Sequence, residues 1–293
     1  MKILFIADPI ESIKKYGFVN DYMRDLLYHG LLETEGVELE CTKPIIPAHK
    51  QYKSQINHGL LWGKGFTASF LIDSEPKLAE DVENKITGKY YDLIIYADAR
   101  TCLDYYRLCS DVYHHSRIFM IDGRDDTDVI SVADKHLYFK RELLDDSRCR
   151  PISFAIPESK IYSGDIMKVM HTATIIPGNN LTYIFDTESS YYNDYQISMF
   201  GHTRRKMGWD CMRHYEIIAN RCVPVFTDIA DCPKNTMVNY PKELSLEALD
   251  LYNNFKNSDT CYEKYYNIES QFINHMLEHQ TTKALANYVL SFS

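Results

Sequence analysis

The sequence predicts an α/β protein built from doubly wound parallel sheets, and three features of the chain support this class. Short apolar runs at residues 2–7 and 92–97 have the composition of strands that are buried on both faces. Segments with apolar residues at helical spacing alternate with such runs along the chain. A helical pattern that starts near residue 210 leads directly into residues 223–226, which are too short and too β-rich for a helix.

The first part of the chain alternates strands and helices. The predicted strands span residues 2–7, 37–42, 66–72, 92–97, 117–121, 137–140 and 152–156. The predicted helices span residues 20–33 and 102–114, and a third begins near Ser74 and carries Leu78, Val82 and Ile86. Residues 61–67 contain two glycines, and we expect a surface loop there, with a ligand-facing loop as the alternative.

A polar, turn-rich stretch at residues 157–164 marks the predicted domain junction. We therefore divide the chain into an N-terminal domain, residues 1–158, and a C-terminal domain, residues 159–293. The second domain is expected to hold strands within 167–176 and at 196–202 and 223–226, and helices at 187–195, from 210, at 244–255, around 265–276 and at 282–290.

Composition places the chain among ordinary globular proteins. Of its 293 residues, 45% are hydrophobic and 25% are charged. No apolar run approaches the length that spans a bilayer, and the N-terminus becomes acidic too early for a secretory signal. The eight cysteines have no metal-like spacing and no CxxC pair. We therefore expect free thiols and a cytoplasmic location.

The net charge of −9 argues weakly against a nucleic-acid partner, because proteins that grip phosphate backbones usually present a basic face. Local basic clusters do exist, such as the loop Arg204-Arg205-Lys206. Overall charge therefore leaves a nucleic-acid acceptor open without supporting it.

Residues 208–226 carry the most informative pattern of the chain. Asp210 is a suitable N-cap for a helix with one apolar face. Arg213 and Glu216 lie three residues apart on a neighbouring stripe. An arginine in the first turn of a helix suits a phosphate, because free N–H groups and the guanidinium both attract anions. An amphipathic helix with an Arg–Glu surface pair is the alternative explanation of this spacing.

The same stretch resembles the donor-binding motif of exostosin-like glycosyltransferases and, more loosely, that of other GT-B glycosyltransferases. The matching residues are Arg213, Glu216, Ala219, Cys222, Val223, Pro224 and Val225. Arg221 departs from the pattern, because the family usually has a glycine there, which commonly forms a left-handed helix end. We expect Asn220 to take that left-handed role instead.

The resemblance implies a GT-B-like fold, in which two Rossmann-like domains face each other across a cleft. It also implies transfer of a sugar from a nucleotide-sugar donor to a glycan or other hydroxyl acceptor. The C-terminal domain would bind the donor and the N-terminal domain the acceptor. Chains of this type often end with a helix that crosses back to the first domain, and the last helices are placed to do so.

The resemblance also implies roles for individual residues. Arg213 would contact the donor diphosphate and stabilise the charge that develops as it leaves. Glu216 would hold donor hydroxyl groups, those of the ribose. The basic loop would add positive potential, with a solvated loop as the alternative, and His214 has a structural alternative. The predicted donor-binding residues are Arg204, Arg205, Lys206, Trp209, Arg213, His214 and Glu216.

An inverting enzyme would need a general base near the acceptor hydroxyl, whereas a retaining enzyme of the GT-B type can do without one, and the sequence does not decide between the two. Asp8, Asp98 and Asp122 are the candidates, because each follows or ends a predicted strand, where α/β sheets place ligand groups. A cap or turn role is the alternative for each of them.

A metal site is the second possibility for the acidic segment 122–128. Asp126 and Asp128 fit the Asp-x-Asp pattern that GT-A glycosyltransferases use to bind Mg²⁺. A solvated turn before a helix is the favoured alternative, and the Arg213–Glu216 motif points to a metal-independent family. We therefore expect no cofactor besides the nucleotide-sugar co-substrate, with Mg²⁺ allowed but not essential.

Other classes of function remain open at this point. One is a nucleic-acid base glycosyltransferase of the viral type, which shares the GT-B architecture. Another is a non-catalytic module that binds nucleotide sugars, and a third is a nucleotide-sugar epimerase. A Rossmann dehydrogenase is disfavoured, because no GxGxxG follows the first strand.

Overall fold

Two parallel β-sheets organise the chain in the computed structural model, which describes residues 1–7, 20–165 and 167–293. The strands are β1 (Lys2–Ile6), β2 (Glu38–Cys41), β3 (Leu93–Tyr96), β4 (Ile118–Asp122), β5 (Leu137–Lys140), β6 (Cys149–Pro151), β7 (Met170–Thr172), β8 (Ser198–Thr203) and β9 (Val223–Phe226). The first sheet has the order β2-β1-β3-β4-β5-β6 and the second the order β7-β8-β9. Every neighbouring pair is parallel.

Helices lie between several pairs of consecutive strands, and three more follow β9. They are α1 (Tyr22–Leu32), α2 (Val82–Thr87), α3 (Tyr106–Val112), α4 (Glu188–Ile197), α5 (Met212–Ala219), α6 (Lys242–Asn253), α7 (Asp259–His279) and α8 (Thr282–Leu290). Within the three described ranges, none of them combines the length and the apolar character that crossing a membrane requires. The mixed α/β class predicted from the sequence is confirmed.

The first sheet is covered on both faces, as its apolar strands require. Phe5 belongs to the hydrophobic cluster that includes α1 and α8, whereas the adjacent Leu4 belongs to the cluster of α2 and α3. Strand β1 lies between β2 and β3, so the chain moves from β1 to β2 in one direction along the sheet and from β2 to β3 in the opposite direction. Doubly wound sheets bind ligands outside the carboxyl ends of strands at such a reversal.

One hydrophobic cluster runs through both parts of the chain. It joins Phe119 and Phe139 of the first sheet to Phe200 of β8 and Tyr215 of α5. We call residues 1–158 the first half and residues 159–293 the second half. The halves share this core, while the boundary at residue 158 and the cleft between two facing domains stay predictions.

The end of the chain returns to the first half, as expected. Helix α8 packs on α1, and the approach is close because Gly30 has no side chain: a Cβ there would overlap the carbonyl of Thr282. His29 Nδ1 lies 2.9 Å from Thr282 Oγ1. The backbone of Ile156 also pairs with Thr281 just before α8.

Two predicted strands are wrong. Residues 66–72 are not extended, because Thr67 and Phe70 have φ values of +70° and +56°. Residues 152–156 are not a strand, and β6 lies at Cys149–Pro151 instead. Backbone N–H groups of that segment bond elsewhere: Phe154 donates to the Asp210 carboxylate and Ile156 to the carbonyl of Gln280.

Candidate functional site

The predicted donor residues lie at the carboxyl edge of the second sheet. Strand β8 ends at Thr203 and continues into a basic loop, Arg204-Arg205-Lys206, whose three side chains are exposed. The chain then turns inward, so that Gly208, Trp209 and Asp210 are buried before α5 begins. The N-terminus of α5 therefore faces the edge at which parallel α/β sheets bind ligands.

Arg141 and Glu142, two residues of the first half, hold this inward turn. Glu142 accepts hydrogen bonds from the backbone N–H groups of Trp209 at 2.9 Å and Asp210 at 3.0 Å. Arg141 donates to the Asp210 carbonyl at 2.6 Å and to the Glu142 carboxylate at 2.9 Å, and it also pairs with Asp125. Neither residue was predictable from the sequence, because the contact joins segments 69 residues apart and no local pattern marks it.

Gly208 is required by this arrangement. A Cβ at that position would lie 2.5 Å from Glu142 Oε1 and 2.9 Å from Asp125 Oδ1. A side chain would therefore displace the carboxylate that accepts the next two backbone N–H groups.

Asp210 does not cap α5 with its side chain, so that prediction is wrong. The N-cap residue is Cys211, which makes no side-chain cap hydrogen bond. The Asp210 carboxylate instead accepts the backbone N–H of Phe154 at 2.6 Å and the Tyr215 hydroxyl at 2.9 Å. Burial raises its pKa to about 6, although Arg141 opposes the shift. Asp210 thus ties the first half to helix α5.

Arg213 lies in the first turn of α5 and is partly buried. Its Nη2 donates to the Tyr183 hydroxyl at 3.1 Å, and the guanidinium carbon lies 5.3 Å from the centre of that ring. Its Nε is buried without a hydrogen-bond acceptor, and no carboxylate of a described residue pairs with the guanidinium. A cation with unused donors at a helix N-terminus is suited to bind an anion.

Glu216 lies one turn further along α5 and is buried. Its Oε1 accepts the Thr67 hydroxyl at 2.6 Å, and its Oε2 accepts the Tyr191 hydroxyl at 2.6 Å. Burial raises the pKa of Glu216, although these two hydrogen bonds and Arg213 oppose the shift. Each carboxylate oxygen therefore accepts one hydroxyl group. The two hydroxyl groups of a vicinal diol would donate to a carboxylate in the same way.

The basic loop adds positive charge to the segment that leads into α5. Arg204 packs against Gly178, and the Arg205 guanidinium lies 5.2 Å from the centre of the Trp209 ring. Within the described parts of the chain, no carboxylate forms an ion pair with the side chain of Arg204, Arg205 or Lys206. Because these three cations are exposed, salt screens their attraction for an anion more strongly than it screens that of the partly buried Arg213.

His214 is enclosed within the second half. Its Nε2 lies 2.8 Å from the Trp209 carbonyl and therefore carries the proton, and its Nδ1 lies 2.7 Å from the Thr203 hydroxyl. The ring stacks on Phe226 with centroids 4.3 Å apart. Burial lowers the pKa of His214 to about 3. This geometry favours the structural alternative, in which a neutral His214 orients the turn that carries Trp209.

We expect His214 to weaken the fold as the pH falls. Its folded pKa lies below the unfolded value of about 6.5, so below that pH the unfolded chain takes up a proton that the folded chain does not. The group costs up to about 1.4 kcal/mol of unfolding free energy per pH unit in this range. Urea unfolding at pH 7.0, 6.0 and 5.0 should show a shallower decline for His214→Gln. Parallel declines would contradict the assignment.

The left-handed end of α5 is Arg221, with φ +58°, and not Asn220 as expected. Asn220 has φ −96° and instead returns its side chain to the Glu216 carbonyl. Arg221 pairs with the buried Glu269 through Nε at 2.5 Å and Nη2 at 3.2 Å. This ion pair explains how a non-glycine residue is retained at a position that favours glycine.

Arg221→Gly tests that account in two backgrounds. In the Glu269→Ala background, Arg221→Gly should raise the unfolding free energy by about 1 kcal/mol relative to Glu269→Ala alone. Only the backbone strain at residue 221 is removed in that background. Alone, Arg221→Gly should lower stability, because Glu269 is left buried without its partner. Equal effects in both backgrounds, measured by urea unfolding, would show that the ion pair does not compensate the strain.

The three candidate bases have different environments. Asp8 lies outside the described residues, so its role stays a prediction. Asp122 is fully buried and bonds to Tyr138, Arg100 and Lys140, and this geometry favours a structural role over that of a general base. Asp98 is partly exposed and pairs with Arg124 at 2.9 Å, which leaves it the accessible carboxylate of the two.

Asp126 of the Asp-x-Asp segment is paired with two cations. Asp126 lies 2.8 Å from Arg100 and 3.2 Å from Lys140. Burial alone would raise the pKa of Asp126, but Lys140 and Arg100 outweigh it and hold the pKa below its usual value. No group of three or more potential metal ligands occurs in the described ranges. Asp126 is thus committed to two cations of the fold.

A solved structure described as an alpha-glucosyltransferase in complex with UDP-glucose and DNA containing an abasic site is similar to this chain. The TM-score is 0.51 and the identity 10%, and the match covers 99% of this chain and 98% of the other. No family model and no curated protein matches the sequence. The likeness establishes that this α/β fold is shared with a glycosyltransferase.

Proposed function

We propose that the protein transfers a sugar from a nucleotide-sugar donor to an acceptor hydroxyl on a glycan or another molecule. The observation that carries this proposal is the partly buried Arg213 guanidinium, which has no carboxylate partner among the described residues and lies at a helix N-terminus. A diphosphate would supply the missing negative charge and hydrogen-bond acceptors.

Two further observations support a glycosyl donor over other diphosphates. The Arg213–Glu216 motif and the strand that follows it resemble the donor motif of exostosin-like enzymes, and they occupy a helix and a strand as that motif requires. The whole-chain likeness to an alpha-glucosyltransferase supports the same class of reaction.

In the proposed reaction the bond between the anomeric carbon and the diphosphate oxygen breaks, and a bond from that carbon to the acceptor oxygen forms. The nucleoside diphosphate leaves with the bonding electrons, and Arg213 stabilises its developing charge. The basic loop and the helix dipole add positive potential, and Trp209 positions Arg205. The acceptor proton passes either to a base or to the leaving phosphate. Among the candidate bases that the structure describes, Asp98 is the accessible one.

A nucleic-acid base is the second candidate acceptor. The similar glucosyltransferase is described with DNA, and this favours the candidate. The exposed side chains of Arg204, Arg205 and Lys206 would suit phosphates of a strand that approaches the donor site. The net charge of −9 requires such contacts to be local.

Product analysis tests the proposal. Purified protein is incubated with radiolabelled UDP-glucose, GDP-mannose, UDP-N-acetylglucosamine and ADP-glucose against oligosaccharides, phenolic glycoside acceptors and hydroxymethylated duplex DNA. Label transferred to one acceptor class is the expected result. Binding of nucleotide without transfer in any combination would instead support a non-catalytic module.

Chelation should leave turnover largely unchanged. Arg213 and the exposed cations supply the positive charge that a metal would otherwise provide, and Asp126 is already paired. Transfer is measured with EDTA and again after Mg²⁺ is restored. Activity that disappears with EDTA and returns with Mg²⁺ would contradict this expectation and favour the Asp126–Asp128 metal site.

A further inference from the structure

Thr67 belongs to the segment of the first half that lies over the predicted donor helix. It is fully buried, and its φ of +70° is a left-handed value that β-branched residues adopt only as outliers. Such strain persists where the surroundings over-determine the residue, and it is concentrated at ligand and switch sites. The conformation of Thr67 is therefore held by its neighbours.

The side chains that hydrogen-bond to Thr67 lie in the second half. The Thr67 N–H donates to Glu188 at 2.6 Å, its hydroxyl donates to Glu216 Oε1 at 2.6 Å, and the same oxygen lies 2.5 Å from the Tyr192 hydroxyl. Since Thr67 has one hydroxyl proton and gives it to Glu216, Tyr192 donates to Thr67. The segment is thus fastened to the second half at the carboxylate that we assign to the donor.

The occupied oxygens of Glu216 limit how a ribose can bind. Tyr191 holds Oε2 and Thr67 holds Oε1, and Glu216 is only 6% exposed. To bind here, a vicinal diol has to donate to carboxylate oxygens that already accept these two hydroxyl groups. Of the two hydroxyl groups, that of Thr67 is held in a strained backbone conformation, whereas Tyr191 lies within a regular helix.

We propose that Thr67 occupies the place of the donor ribose on Glu216 and that a ribose hydroxyl displaces it when the nucleotide binds. This inference rests on the proposed function. The exchange replaces one hydroxyl hydrogen bond to Oε1 by another and releases the left-handed strain at Thr67. Donor binding thereby loosens one contact between the halves, so the state of the donor site is transmitted to the first half.

The test compares nucleotides with and without the diol. Affinities of UDP and 2′,3′-dideoxy-UDP are measured by calorimetry, with ADP, GDP and CDP and their dideoxy forms in parallel. The discrimination ratio is the dissociation constant of the dideoxy nucleotide divided by that of the ribonucleotide. Wild type is compared with Thr67→Val, Thr67→Gly and Thr67→Ser.

Removal of the competing hydroxyl should raise the discrimination ratio about tenfold in Thr67→Val and Thr67→Gly, because a hydrogen bond to a charged group no longer has to be broken. Thr67→Ser keeps the hydroxyl and should keep the wild-type ratio. Thr67→Gly suits a positive φ, so it carries the test if Thr67→Val does not fold. Glu216→Gln should lower the ratio in every background.

An unchanged or lower ratio in Thr67→Gly would overturn the inference, because a residue that only orients Glu216 would weaken ribose binding when removed. The proposed function would survive that result if a ribonucleotide still bound and Arg213→Ala weakened its binding. If none of the four ribonucleotides bound the wild-type protein, both the proposed function and this inference would be wrong.

Discussion

Arg213→Ala is expected to weaken binding of a nucleoside diphosphate about 100-fold and to lower turnover by about 10²–10³-fold. The guanidinium makes one described hydrogen bond, to Tyr183, so most of its donors are free for phosphate oxygens. Its charge would also stabilise the diphosphate as it leaves, and an interaction made in the transition state lowers turnover when it is lost. Binding is measured by calorimetry and turnover by label transfer.

Two control variants separate the phosphate role from a general loss of charge. Arg213→Lys keeps the charge but loses the planar fork, so it should fall between wild type and Arg213→Ala. Arg107→Ala removes an exposed arginine of α3 and should leave nucleotide affinity unchanged. The melting temperature of Arg213→Ala should stay close to that of wild type, because no described ion pair is broken. Unchanged nucleotide affinity in Arg213→Ala would remove the diphosphate role.

Arg141→Met is expected to lower the unfolding free energy by about 3–5 kcal/mol. The substitution leaves Glu142 and Asp210 buried without their shared cation and removes the hydrogen bond to the Asp210 carbonyl. The turn that precedes α5 would lose its anchor on the first half, so nucleotide affinity should fall as well. Urea unfolding and calorimetry measure the two effects.

The matched control for Arg141 is Arg148→Met. Arg148 also pairs with two carboxylates, those of Asp134 and Asp146, but this network is exposed. Its loss should leave the unfolding transition nearly unchanged. If both substitutions lowered the unfolding free energy by a similar amount, the buried contact between the halves would contribute no more to stability than the exposed network does.

Elements whose signal is local were predictable from the sequence. The apolar strands β1, β3 and β4 and the helix–strand unit of α5 and β9 follow from periodicity and composition, and each lies within a few residues of its predicted position. The Arg213–Glu216 spacing likewise depends only on helix geometry, so the helix and both side chains could be placed before the structure was known.

Features that depend on distant contacts were not predictable. The conformation of Thr67 is set by Glu188 and Glu216, which lie 121 and 149 residues away. Asp210 is a good N-cap by residue type, yet Phe154 and Tyr215 take its carboxylate. Arg221 adopts the left-handed position because Glu269 holds its side chain. In each case a tertiary contact outweighs the local preference.

A crystal structure of the protein with UDP and UDP-glucose tests the central claim most directly. The account predicts the diphosphate at the N-terminus of α5, with phosphate oxygens within hydrogen-bond distance of the Arg213 guanidinium and the ribose hydroxyl groups at Glu216. A nucleotide bound elsewhere, with Arg213 still bonded only to Tyr183, would contradict the account. So would a complex in which a metal ion, and not Arg213, holds the diphosphate.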